Sequence, residues 1–368
     1  MSKRRKMSIF ILVTLVLVSN CLSLNSVSAA APGSPTESFI IGKLYNPNQT
    51  IATRLTDGSS SLDPNMAGGR EALSESLALW MTYAVRKNDK SLYKTSYDLL
   101  NKYFLAPEGT VYWKLNQDGR SQVSTNAMID DHLIIEALYK AYSQWNIPAY
   151  KQTADKLSQA SKSKNIVNGY FVDYYDFNSG YQPNQLTLSY IVPGALTQML
   201  NNQQIDNATW SRQIDLLNTL PTDNAFFPKT YDVVTNQFTY DSTINMIDQV
   251  YIALHRAEAG TSSPALYNLI KTGFYKSNRL ISSYDRVTGA PVSDLECPAQ
   301  YGLTILYALQ ANDKSFALDL YKRMIALRVS DKSSPYYGGY VFNNDTFSFN
   351  NLYALLAEQK LNMMGLIR

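Results

Sequence analysis

From residue 72 onward, apolar residues return at helical spacing, stop at a short polar turn, and return again. Leu73, Leu77, Trp80, Met81 and Ala84 place one apolar stripe along a helix over Ala72–Arg86. Asn88-Asp89 breaks that stripe, and Leu92–Phe104 resumes it. The same design recurs at Ile129–Trp145 with Ala149–Ser161, at Leu188–Leu200 with Trp210–Leu220, and at Ile244–Ala259 with Ser263–Ser277. It ends with Ala299–Leu309, Ser315–Leu327 and a closing helix over Asn350–Leu361. Two turns are near copies. Arg86–Leu92 resembles Gln310–Phe316, each ending a helix at Asn-Asp, with Ser91 and Ser315 placed to cap the next helix.

Helical hairpins in series predict an all-α fold, either a closed toroid or a solenoid. Gly-, Asn- and Tyr-rich segments at Asn168–Gln185 and Phe226–Tyr240 interrupt them and read as short β-hairpins or long loops on one face. Residues 32–40 read as a loose arm.

The N-terminus changes how the charge is read. Lys3, Arg4, Arg5 and Lys6 precede an apolar run from Ile9 to Val18, and Val27-Ser28-Ala29-Ala30-Ala31 supplies small residues for a signal peptidase. The expectation is a cleaved signal peptide over 1–31 and a single domain over 32–368, exported and without stable membrane insertion. Asn20 before Cys21 is a poor fit to a lipoprotein signal. Those four basic residues exceed the whole formal charge of +3, so the remainder is close to neutral. No electrostatic footprint for nucleic acid remains. Of the 2 cysteines only Cys297 survives such processing, which excludes an intramolecular disulfide and leaves stability to the core. The 27 tyrosines fit either sugar-stacking faces or a tyrosine-filled core. A monomer is expected.

Three helices begin with carboxylates in apolar surroundings: Ser74-Glu75-Ser76-Leu77, Ile129-Asp130-Asp131-His132 and Met246-Ile247-Asp248-Gln249. Glu75, Asp131 and Asp248 precede Ala84, Ala141 and Ala257 of their own helices by similar intervals, which would set the acids at one rim of a helix ring. Each acid alone also suits a helix N-terminus, where the dipole favours negative charge by ~0.3–1 kcal/mol. Three together suit the cleavage of a glycosidic bond, which takes one carboxylic acid to protonate the leaving oxygen and a second carboxylate as base or nucleophile.

These stretches resemble glycoside hydrolase family 8. Ser74-Glu75-Ser76 is similar to the family's Ser-Glu-Gly, whose Glu is the proton donor, but lacks the Gly. Gly109–Lys114 resembles Gly-Leu-x-x-Trp-Lys, which makes Trp113 a stacking platform. Ile129-Asp130-Asp131 resembles Asp-x-Asp with the first Asp replaced, and Asp131 would hold a sugar hydroxyl. Ser189–Pro193 matches Ser-Tyr-x-x-Pro and adds Tyr190 as a second sugar contact. The family's base motif, Tyr-Asp-Ala-x-Arg, has two partial counterparts. Tyr240-Asp241-Ser242 keeps Tyr-Asp, whereas Ile247-Asp248-Gln249 keeps the helix depth of the other acids, and Asp248 is preferred on that ground.

The resemblance implies an (α/α)6 barrel and an endo-acting, inverting hydrolase of a β-1,4-linked polysaccharide. Glu75 would be the acid and Asp248 the base, with carboxyls ~6.5–9.5 Å apart. Asp130 and Asp131 would bind substrate. Trp80 and Tyr83 would supply the apolar neighbourhood that raises the Glu75 pKa. No metal or other cofactor is implied; His132 and His255 lie in different helices, with His132 read as a surface residue or a substrate contact. Two rivals remain: a non-catalytic glycan-binding or assembly protein, which the lost Gly, Tyr and Arg favour, and a polysaccharide lyase on the same barrel.

Overall fold

A computed structural model describes residues 33–58, 66–293 and 295–367 of the chain. The signal-peptide expectation therefore lies outside the described residues. The hairpin pattern becomes a sequence of α-helices: α1 (Pro35–Phe39), α2 (Ser74–Lys87), α3 (Lys90–Leu99), α4 (Met128–Trp145), α5 (Pro148–Lys164) and α6 (Pro193–Asn201). It continues with α7 (Asn207–Asn218), α8 (Met246–Glu258), α9 (Pro264–Ser277), α10 (Pro298–Gln310), α11 (Lys314–Ala326) and α12 (Ser348–Met363).

Contacts between alternate helices close a ring. α2 packs on α4, α4 on α6, α6 on α8, α8 on α10, α10 on α12, and α12 returns to α2. The intervening helices clad the outside: α3 lies on α2, α5 on α4, α7 on α6 and α11 on α10. α9 joins this layer through Tyr267, whose ring meets Tyr307 of α10 at 5.3 Å and Phe316 of α11 at 5.9 Å. This is the (α/α)6 barrel. The described residues all fall in one compact unit.

Small residues let the inner helices approach. Ala78, Ala84, Ala141, Ala253, Ala308 and Ala354 are completely buried. Gly302 of α10 is the tightest case, because a Cβ there would stand 2.4 Å from the Tyr353 carbonyl oxygen of α12. Backbone cannot rotate away as a side chain can. Gly302→Ala is expected to cost roughly 1–3 kcal/mol by forcing the two helices apart. An unchanged denaturation midpoint would show that the interface has room to spare.

Much of the tyrosine content fills the core. Tyr93, Tyr139 and Tyr301 are fully buried, and Tyr93 packs edge-on against Trp145 at 5.1 Å and Tyr150 at 4.9 Å. The twin Asn-Asp turns are twins in structure as well. Asn88 and Asn312 take left-handed backbone (φ 57° and 61°). The caps differ from expectation: Asp89 and Asp313, not the serines, accept the Leu92 and Phe316 N–H groups at 3.0 and 3.1 Å. Ionised carboxylates at an N-terminus gain from the dipole as well as the hydrogen bond.

The loose arm is also corrected. α1 continues into a π-helical turn over Ile40–Leu44, and Phe39, Ile40 and Leu44 are buried. Glu37 pairs with Lys87 at 2.7 Å and accepts the Tyr83 hydroxyl at 2.9 Å, while Thr36 bonds Glu358 of α12. The segment closes the outer layer beside α12.

Short antiparallel strands feed the starts of inner helices. Ala72–Leu73 pairs with Lys114–Leu115 and runs into α2; Thr243–Asn245 pairs with Ser283–Asp285 and runs into α8. Gln185–Thr187, Thr230–Asp232 and Gln237–Thr239 form a three-stranded sheet, followed after its first strand by a 3₁₀ turn over Leu188–Tyr190. All these strands gather at the N-terminal ends of the ring, where loops expected from the Asn/Tyr-rich segments belong.

Candidate active site

Glu75 sits in the first turn of α2 and is half-buried. The Trp113 carbonyl fixes that turn by accepting from the Ser74 N–H at 3.0 Å and the Ser74 hydroxyl at 3.2 Å. Asp130, from the first turn of α4, reaches across to the same place. It accepts from the Ser74 hydroxyl and from the Glu75 backbone N–H. One helix thus caps the start of its neighbour, and a second carboxylate comes to rest beside Glu75.

The consequence is electrostatic. Burial pushes the Glu75 carboxyl far above the usual carboxylate range, and the negative charge of Asp130 pushes it further; the Tyr251 hydroxyl, which donates to it, offsets part of the rise. Burial likewise raises Asp130, against the hydrogen bonds from Ser74 and Glu75. Two close carboxyls in a low-dielectric setting do not both ionise at neutral pH, so the pair retains a proton.

Asp248 occupies the first turn of α8, half-buried, and accepts the Ser189 hydroxyl at 3.2 Å. Burial raises its carboxyl, but the Lys229 ammonium opposes that rise, followed by the Ser189 bond. Tyr190 binds the arrangement together. Burial raises the pKa of its hydroxyl, and the charges of Asp173, Asp130, Glu75 and Asp248, from three inner helices and a loop, raise it further.

Other sequence candidates fall differently. Asp131 turns away from Glu75 into the protein, where it is 1% exposed and accepts from Asn126 Nδ2 at 2.7 Å. Asn126 also bonds Asn165 and the Tyr175 N–H, so Asp131 anchors the loop before α4. The residue that comes to Glu75 is Asp130. Asp241 is on the surface, paired with Lys229 at 2.9 Å. Trp113 is half-buried beside the start of α2, with the Lys114 ammonium 5.2 Å from its ring centre. Trp80 and Tyr83 stack on each other at 5.2 Å, and Tyr83 is committed to Glu37, away from Glu75. The phenols at Glu75 are Tyr251, Tyr190 and Tyr353.

Neither histidine reading holds: His132 is buried, bonds Ser161 at 3.1 Å, meets the Phe171 ring edge-on at 4.7 Å, and burial lowers its pKa to about 3. His255 is buried too. Among the described residues no cluster of His, Cys, Asp and Glu is arranged to hold a metal.

Several site residues went unread in the sequence. Asp173 accepts from the Thr187 N–H and hydroxyl and from Gln185, and burial raises its carboxyl. The Tyr251 and Tyr353 hydroxyls bond each other across the ring. Tyr251 lies one turn beyond Asp248, so its face of α8 was legible although its partners were not.

At the N-terminal rim a cavity of about 1060 Å³ lies over α8, α10 and α12, lined among others by Ile247, Cys297, Phe342, Phe347 and Asn350, with Glu75, Asp130 and Asp248 outside its lining. Phe342 and Phe347 are exposed, and the Arg54 guanidinium lies 4.9 Å from the Phe347 ring centre.

The sequence is 37% identical over 333 residues to the Bacillus subtilis (strain 168) protein named "Putative lipoprotein YdaJ", across 90% of this chain and 88% of that one. The chain belongs to the YdaJ family. No protein-family profile matches it. Among solved structures, a protein described as a novel alpha-amylase from Clostridium perfringens superposes with a TM-score of 0.79 at 26% identity, over 88% of this chain and 96% of that one. Endoglucanase Cel10, a family 8 glycosyl hydrolase from Klebsiella pneumoniae, superposes with a TM-score of 0.62 at 15% identity, over 89% and 99% of the two chains. The fold is therefore that of a family 8 glycosyl hydrolase. The departures from that family's motifs at Ser76 and Ile129 accord with the low identity.

Proposed function

We propose that this protein hydrolyses an internal glycosidic bond of a polysaccharide with inversion, Glu75 acting as general acid and Asp248 as general base. The observation that carries the reading is the contrast between two carboxyls around Tyr190. Burial raises both, but at Glu75 the neighbouring Asp130 adds to the rise, whereas at Asp248 the Lys229 ammonium and the Ser189 hydroxyl oppose it. Carboxyls whose surroundings drive them apart divide acid from base at one pH.

In the productive complex the Glu75 proton passes to the glycosidic oxygen as the C–O bond breaks. Asp248 removes a proton from the water that attacks the anomeric carbon from the opposite face. Asp130 accepts from the backbone of Glu75 and sustains its protonation. Tyr190, protonated throughout, offers a hydroxyl to the reacting sugar, and Trp113 offers a ring face. The cavity over α10 and α12 receives further sugar units on Phe342 and Phe347.

The likeness to family 8 favours a β-1,4-linked glycan, and the relative's name favours an exported protein. The test is product analysis on cellulose, mixed-linkage glucan, xylan, chitosan, starch and the producing organism's own exopolysaccharide. New reducing ends of inverted anomeric configuration are expected from a β-1,4 substrate, with the activity in the membrane or medium fraction. Release from starch alone would replace the linkage. Binding without cleavage on every glycan would reject the hydrolase.

A further inference from the structure

Asp248 has a helix start, a hydroxyl donor and one cation, and the cation comes from outside the helix ring. Lys229 ends the loop before the central strand of the three-stranded sheet. Its backbone is pinned on both sides: its N–H donates to the Thr239 carbonyl at 2.8 Å, and its carbonyl accepts the Leu188 N–H at 2.9 Å. The first bond ties it to the strand that leads to Asp241. The second ties it to the turn that carries Ser189, the hydroxyl donor of Asp248, and Tyr190. From this doubly fixed position the ammonium reaches Asp241 at 2.9 Å and acts on Asp248 as well.

We propose that Lys229 is the positioning residue of the base: fixed by the sheet beside the turn that carries Ser189, its ammonium is the counter-charge of Asp248, shared with Asp241. The proposal rests on the hydrolase reading for its catalytic meaning, though not for its electrostatics. It also gives Asp241 a role, as the carboxylate that competes with Asp248 for the same ammonium. On α8 itself the position one turn beyond Asp248 is occupied by Tyr251, which turns to Glu75 and Tyr353 and supplies no positive charge. Among the described residues, the charged and titratable groups that act on Asp248 or feel its charge are Lys229, Asp241 and Tyr190.

The two surface partners act on Asp248 with opposite sign, Lys229 favouring its ionised form and Asp241 opposing it. That opposition makes the test. Lys229→Met should move the acid limb of the kcat/KM profile to higher pH. The expected loss is several-fold on the acid side and closes on the alkaline side, and Lys229→Arg should restore the profile. Asp241→Asn should move the same limb to lower pH. The alkaline limb, set by Glu75, should stay in place in all three. A structural defect would instead lower the whole profile.

The Asp248 carboxyl carbon, assigned with Asp248→Asn and titrated by ¹³C NMR without substrate, separates this idea from the hydrolase reading. A midpoint that rises in Lys229→Met and falls in Asp241→Asn supports the assignment whether or not any glycan is cleaved. A midpoint unmoved by Lys229→Met overturns it even in an active enzyme.

Discussion

Glu75→Gln is expected to remove hydrolysis and leave the barrel intact. The amide keeps the shape of the side chain and an oxygen for the Tyr251 hydroxyl, but it has no proton to give the leaving oxygen. General acid catalysis contributes roughly 10²–10⁴-fold, and a loss of that order in kcat is expected. The stability of the variant carries an independent signature. In the folded protein the Glu75 pKa is raised, first by burial and then by Asp130. Between the ordinary carboxylate value and that raised value, the folded state binds more protons than the unfolded chain. Stability of the parent must therefore fall as pH rises through that window. Glutamine removes the term, so the variant should match the parent at acid pH and exceed it at alkaline pH. Reducing-end assays paired with thermal melts across pH would read both effects. Near-parental turnover would exclude Glu75 as the acid. A parallel fall in stability for parent and variant would show that Asp130, not Glu75, holds the proton of the pair.

The ring and one acid at each of two helix starts were legible because local pattern determines them. Apolar spacing sets which face of α2 or α8 enters the core, and an acid in the first turn of such a helix sits at the rim. The choice between Asp130 and Asp131 is of another kind. Adjacent residues point about 100° apart on a helix. Which one faces the axis depends on how α4 rotates as Ile134, Ile135 and Leu138 bury themselves, and the family pattern pointed to Asp131. The phenols at Glu75 were assigned to Trp80 and Tyr83, which share its helix. The structure draws them from α8, α12 and the 3₁₀ turn, by packing across the ring. Lys229 and Asp173 arrive through strand pairing between distant segments. The arm at 32–40 was misread for a simpler reason: Phe39, Ile40 and Leu44 already carried helical spacing, and their brevity hid it.

Asp248→Asn should be nearly as costly to turnover as loss of the acid, and far more costly than Asp241→Asn. Asparagine still accepts the Ser189 hydroxyl, so the first turn of α8 keeps its geometry, but the group no longer takes a proton from water. A loss of roughly 10²–10⁴-fold is expected when a general base is removed. Asp241 is half-exposed and engaged with Lys229 at 2.9 Å. An ion pair of that kind contributes little to stability, typically about 0–1 kcal/mol, so Asp241→Asn should fold normally and retain most of its maximal rate. A small anion offers a further discrimination. Azide needs no base to attack the anomeric carbon, so it should restore bond cleavage in Asp248→Asn and leave a glycosyl azide of inverted configuration. It should restore nothing in Glu75→Gln on natural glycans, whose poor leaving group still requires the acid. Should Asp241→Asn suffer the large loss and the azide rescue while Asp248→Asn keeps its rate, the base is the surface carboxylate, and the water attacks from the three-stranded sheet instead of the α8 rim.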